Sequence, residues 1–140
     1  MKTLERLVDM ARLDLDQKRR KVNELEAMRQ NFSDRIIQID NEIAAEMKSA
    51  QIDPVLAGNI GRFIEAARDR QFRLRESLAE IDRELEAARD EVTEAFQEKK
   101  RFELVLERRK AERRRAADRR EQLRLDEIGL RRSLEQRRPG

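Results

Sequence analysis

Between Glu107 and Glu121 the chain reads Glu-Arg-Arg-Lys-Ala-Glu-Arg-Arg-Arg-Ala-Ala-Asp-Arg-Arg-Glu, eight basic side chains against four acidic ones. Such a run offers one kind of chemistry, the attraction of anionic groups on a partner. Arg108, Arg109, Arg113, Arg114, Arg119 and Arg120 are its candidate contact residues. Two uses compete. One is a solvated helix held by local pairs such as Arg109 with Glu112 and Glu121 with Arg124. The other is a docking surface for an acidic protein or a nucleic acid. Sequence-tolerant nucleic-acid binding adds aromatic platforms on which bases stack, and this run has none. Its interspersed acids would also repel phosphates. Downstream, Leu123, Leu125, Ile128, Leu130 and Leu134 restore apolar residues at near-helical spacing. An apolar stripe without an intramolecular partner waits for an external one.

Other site chemistry is largely excluded. The chain has no Cys and no His, which removes thiolate nucleophiles, imidazole bases and Cys/His zinc sites. No disulfide framework can form, which fits a reducing cytoplasm. No phosphate-binding glycine loop and no dinucleotide fingerprint is present. The many Asp and Glu residues fall on solvated helix faces, with no pocket to shift a pKa. The expectation is a protein without enzymatic activity, cofactor or metal. The longest apolar runs are three residues, such as Val55-Leu56-Ala57, whereas a membrane span needs about 20. The first residues alternate charge with apolar side chains and lack the apolar core of a signal peptide.

The element that must carry the basic run is a long helix. Charged residues make up 45% of the chain and aromatics 4%, the balance of a coiled coil. An apolar seam with alternating spacings of three and four confirms that class. Its first stretch is Leu4, Val8, Ala11, Leu15, Lys18, Val22, Leu25, Arg29, Phe32, Ile36, Ile39, Ile43, Glu46 and Ala50, eleven of 14 apolar. Its second is Ile64, Ala67, Gln71, Leu74, Leu78, Ile81, Leu85, Ala88, Val92, Ala95, Lys99, Phe102 and Leu106, eleven of 13 apolar. The same count then lands on Arg109, Arg113, Ala116 and Arg120, and the seam fails. A 3.5-residue repeat keeps two helices facing each other, so its failure marks where the second helix outruns its mate. Charge follows the same boundary: residues 1–50 are neutral, 51–106 carry net −3, and 107–140 carry net +6.

The one strong break is Gln51-Ile52-Asp53-Pro54. Asp53 suits an N-cap and Pro54 the first helical position, and proline pushes Asp53 out of the α region. Gly58 and Gly61 either weaken the following helix or let the helices approach closely. The spacing predicts a single helical hairpin over 1–140: a first helix over about 3–50, a bend at 51–61, and a second helix over about 54–138 ended by Pro139-Gly140. Its basic overhang spans 107–138. Helices joined by a short bend pack antiparallel. With the bend centred near residue 53, Phe32 faces Leu74 and Leu15 faces Val92. The fold class is all-α, a long antiparallel two-helix coiled-coil hairpin with the second helix extending past the N-terminus. Seam polars Lys18, Arg29, Glu46, Gln71 and Lys99 fix register at a cost in stability. Off the seam, Phe63 and Phe96 widen it, while Phe72 is harder to bury and is a candidate contact.

Four short segments give the chain a family likeness. They are Leu4-Glu5-Arg6-Leu7-Val8-Asp9 at the start, Ile60-Gly61-Arg62-Phe63-Ile64 after the bend, Glu98-Lys99-Lys100 in the second helix and Leu125-Asp126-Glu127 near the end. In that order and spacing the chain resembles the FliJ family, the small coiled-coil component of the bacterial flagellar type III export apparatus. The resemblance implies an antiparallel hairpin similar to the stalk subunit of rotary ATPases. It implies that the end bearing both termini enters the central pore of the hexameric export ATPase ring. It further implies contact with the cytoplasmic domain of the export-gate membrane protein and escort of export chaperones.

On this likeness the ATPase-binding residues are the six arginines above with Leu4, Leu7 and Val8. The export-gate-binding residues are Phe63, Ala67, Arg70 and Leu74, with Phe72 beside them. At Ala67 and Arg70 the chain departs from the family pattern, one being small and the other charged. The implied location is cytoplasmic, at the inner membrane of the flagellar base. The chain is expected to be monomeric when free and to bind no nucleic acid. The rival readings are a virulence-type III secretion stalk paralogue, a basic helical-hairpin nucleic-acid-binding module and a structural coiled-coil dimer.

Overall fold

A computed structural model describes residues 2–137. Arg138, and the stop expected at Pro139-Gly140, lie outside the described residues. Three helices follow one another: α1 (Lys2–Ile52), α2 (Pro54–Ala57) and α3 (Ile60–Gln136). No strand occurs among the described residues. No helix among them is long and apolar enough to cross a membrane.

α1 runs for 51 residues because it contains neither Gly nor Pro. It stops where Pro54 forces the preceding residue out of the helix. Asp53 sits at φ −113°, ψ 112°, and its carboxylate accepts from the Val55 amide at 3.0 Å. The second helix was expected to start at Pro54. Instead α2 is one turn, a turn at Gly58-Asn59 interrupts it, and α3 begins at Ile60. A side chain at Gly61 would meet nothing within 4 Å. The glycines therefore loosen the start of α3 and are not there to let helices close up. α3 then continues through Gly129 for 77 residues, since one glycine costs a helix only about 1 kcal/mol.

α1 packs against α3, which makes the all-α hairpin. Packing falls in two units. In Leu13–Phe96 the buried residues are Leu15, Leu25, Ile39, Ile43, Ala67, Gln71, Ile81, Leu85, Ala88 and Ala95. Every one is a seam position. Leu25, Leu85 and Ala88 form one cluster with Val22 against it, and Ile39, Ile43 and Ala67 form another, packed by Phe63, Ile64 and Leu74. In the other unit, Met1–Arg12 with Gln97–Gly140, Leu4, Val8 and Ala11 are buried. There Glu103 gathers Arg12 at 3.4 Å, Lys100 at 3.7 Å and Lys99 at 3.8 Å.

Leu15 and Leu85 are only 2% and 3% exposed. That is deeper than a bare two-helix seam gives, because long charged side chains bridge over it. Lys18 pairs with Glu91, Arg29 with Asp82 and Arg89 with Glu26. Arg29 is the one seam residue that is exposed, its guanidinium swung out to Asp82 at 2.6 Å. These pairs also correct the expected register. Each partner on α3 lies several residues beyond the position given by a bend centred on residue 53. The extra turn of α2 and the Gly58-Asn59 turn move the point of reversal along the chain.

Candidate functional site

The basic section of α3 owes its helicity to Arg, Ala, Glu and Leu, all strong helix formers. From Glu107 to Arg137 no residue is buried, and only Ala111, Ala116 and Ser133 are half-buried. Arg108, Arg109, Arg113, Arg114, Arg119 and Arg120 are all exposed. The expected pairs of Arg109 with Glu112 and Glu121 with Arg124 do not form. Nearby pairing is local, Arg131 with Glu127 at 3.3 Å and Gln122 with Asp126 at 3.1 Å. Arg120 donates to the Ala116 carbonyl at 3.4 Å. Leu123, Leu130 and Leu134 fall on the seam's own three-four count, and all are exposed. The helix thus carries an apolar line flanked by guanidinium groups and set on the face that elsewhere meets α1.

Of the N-terminal candidates, Leu4 and Val8 are buried and hold α1 against α3, while Leu7 is 38% exposed. Only Leu7 of the three presents surface to a partner.

The candidates near the start of α3 separate by face. Phe63 and Leu74 are half-buried against the Ile39–Ile43–Ala67 cluster. Arg70 is exposed, with Glu42 at 3.8 Å. Phe72 stands 60% exposed. Ala67 is wholly buried, so its small side chain serves the approach of the two helices and offers no surface of its own. Arg70, Leu74 and the exposed edge of Phe63 share one flank of the hairpin, because positions 63, 70 and 74 lie on one helical face. Phe72 projects from another face.

A polar cluster links the two helices beside these residues. Gln71 has no exposed surface. Its Nε2 donates to the Ile36 carbonyl and to Asp40 Oδ1, both at 2.8 Å. Arg68 donates to Asp40 Oδ1 and to Gln71 Oε1, both at 2.7 Å. No buried side-chain polar atom among the described residues lacks a partner. Donation from Gln71, and next from Arg68, holds the Asp40 carboxyl below its ordinary value of 3.8. The signal for Gln71 was in the sequence, a polar residue on the seam. That Asp40 and Arg68 complete its hydrogen bonds was not, since the pairing depends on register.

A family model described as flagellar FliJ protein matches residues 1–138. The chain belongs to that family. It is accordingly a component of the flagellar protein export apparatus, in a family whose members act without catalysis. No curated protein and no solved structure matches the chain. In this FliJ-family chain the four segments of likeness lie in different surroundings. Leu4–Asp9 helps form the seam at the start of α1. Ile60–Ile64 opens α3, Lys99 and Lys100 reach Glu103, and Leu125–Glu127 lies wholly on the exposed section.

Proposed function

We propose that this protein is the stalk-like coupling factor of the export apparatus, docking into the hexameric export ATPase through the exposed basic section of α3. The observation that carries this reading is the unburied line of Leu123, Leu130 and Leu134, which follows the exposed Arg108, Arg109, Arg113, Arg114, Arg119 and Arg120 along the same helix. A helix that is amphipathic yet has nothing packed on its apolar line is built for an external partner. The guanidinium groups ahead of that line favour an acidic lining and speed encounter. Leu4 and Val8 serve by holding α1 against α3, and Leu7 adds an apolar contact.

The mechanism needs no catalytic group on this chain. A helix without six-fold symmetry, placed in a six-fold ring, touches each subunit differently. It shifts their conformational equilibrium to the extent that it binds one state more tightly than another. The flank bearing Phe63, Arg70 and Leu74, with Phe72 on its own face, engages the cytoplasmic domain of the export gate, and Ala67 sets the helix spacing beneath. Export chaperones dock on the same protein. It works in the cytoplasm, peripherally attached to the inner membrane at the flagellar base, and is monomeric when free.

The test is a triple replacement, Arg113→Glu, Arg114→Glu and Arg115→Glu. ATPase binding and stimulation are expected to be lost while helicity is kept. Unchanged binding and stimulation would reject this section as the contact.

A further inference from the structure

In the Leu13–Phe96 unit an open groove of about 420 Å3 runs between α1 and α3. Its floor is apolar, made by Ile39 and Leu74. Its rim carries three guanidinium groups, Arg35 from α1 and Arg70 and Arg73 from α3, against a single carboxylate, Glu42. Glu42 lies 3.8 Å from Arg70, which leaves Arg35 and Arg73 uncompensated. Arg35 rests over the Phe32 ring at 5.8 Å, an arrangement that fixes the guanidinium yet leaves its N–H groups able to donate. Arg73 makes no ion pair or hydrogen bond with any described residue. A second groove on the hairpin differs in kind. Its Arg29 and Arg89 are already matched by Asp82 and Glu26.

The geometry points to the Arg35–Arg73 groove as a docking site for an acidic peptide segment that carries an apolar side chain. Carboxylates of the segment meet Arg35 and Arg73, and its apolar side chain lies on Ile39 and Leu74. Charge complementarity selects an acidic occupant. The apolar floor selects a peptide over a nucleic acid, because no aromatic side chain lines the groove for bases to stack on. The site takes residues from both helices, so it exists only in the folded hairpin. It deepens the export-gate reading, with which it shares Arg70 and Leu74, and rests on that reading for the identity of the protein that supplies the segment.

Fluorescence anisotropy on the full chain tests it, with short labelled synthetic peptides of one leucine spacing and Glu, Gln or Lys at the remaining positions. The Glu peptide is expected to bind roughly tenfold more tightly than the Gln peptide. Arg35→Gln with Arg73→Gln should abolish that preference. Glu42→Gln should strengthen binding of the Glu peptide, and this gain decides the matter if the double variant loses helicity by circular dichroism. Arg20→Gln with Arg83→Gln, two exposed arginines of the same unit outside the groove, should change nothing. Equal affinity for the Glu and Gln peptides overturns the inference. So does equal loss in the Arg20 and Arg83 variant, displacement by inorganic phosphate, or tighter binding of single-stranded RNA. Binding of the purified gate domain is read separately. Peptide bound and gate domain unbound supports the groove and rejects the gate as its source. Gate domain bound and Glu peptide unbound overturns the groove and leaves the gate reading standing.

Discussion

Across the Leu13–Phe96 unit, charge on one helix meets charge on the other: Lys18 with Glu91, Arg29 with Asp82, Asp40 with Arg68, Glu42 with Arg70, Glu26 with Arg89. Beneath those pairs the seam is buried. In residues 107–137 the same residue types recur, yet the one ion pair among the described residues there joins Arg131 to Glu127 within a single turn. The apolar line is bare, with Leu123 at 68% exposure. An identical alphabet thus makes a core in one section and a surface without buried residues in the other, among the described residues. The difference lies in what faces the helix, since both sections are good helix formers.

The sharpest way to break this comparison is to truncate leucines in the two regions. Leu85→Ala removes a side chain that is 3% exposed and packs on Leu25 and Ala88. It should cost about 2–5 kcal/mol in chemical denaturation. Leu130→Ala should stay within about 0.5 kcal/mol. Equal losses would mean that the α3 extension folds onto something in solution.

Gln71→Ala comes next. It strips Asp40 and the Ile36 carbonyl of a donor inside the seam and should cost about 1–3 kcal/mol. A neutral result would show that water replaces the amide and that the cluster does not fix register.

Amide hydrogen exchange gives a graded version of the same contrast. Amides of 107–137 should exchange faster than those of the Leu13–Phe96 core, because an unpaired helix opens locally without breaking tertiary packing. Adding the export ATPase should slow the first set and leave the second unchanged. Protection confined to Leu13–Phe96 would move the ATPase contact there.

The smallest effect concerns pH. The folded Asp40 carboxyl is held below 3.8, so its hydrogen bonds contribute stability that is fully present above that value. The contribution is lost as pH falls through the lower folded value. Asp40→Asn should therefore lower stability slightly at neutral pH and flatten the acid limb by the same small amount, since the carboxylate is about half exposed. An unchanged acid limb would place the acid sensitivity elsewhere.

Much of this molecule is legible in one dimension. The seam positions, the helix stop at Asp53-Pro54 and the loss of the seam at Arg109 all follow from residue type and spacing. Every seam residue except Arg29 is buried or half-buried. The bend was less legible. A four-residue helix at Pro54–Ala57 and a turn at Gly58-Asn59 have no strong local signal beyond the glycine, and their extra length shifts every pairing. Ala67, a candidate contact by its family likeness, is buried, because a small side chain on the seam is where two helices come closest. Nothing in the sequence joins Arg35 to Arg73, which lie 38 positions apart in the chain and meet at one groove only after the reversal.

Sequence alone determined that the chain is helical, which face of each helix is apolar and where that face runs out, since these depend on residues within a few turns of one another. Tertiary structure alone decided the register, and with it the Gln71–Asp40–Arg68 cluster and the groove between the helices. Sliding one helix past the other leaves each helix's own pattern intact and changes only which side chains stand opposite. No local rule contains that information.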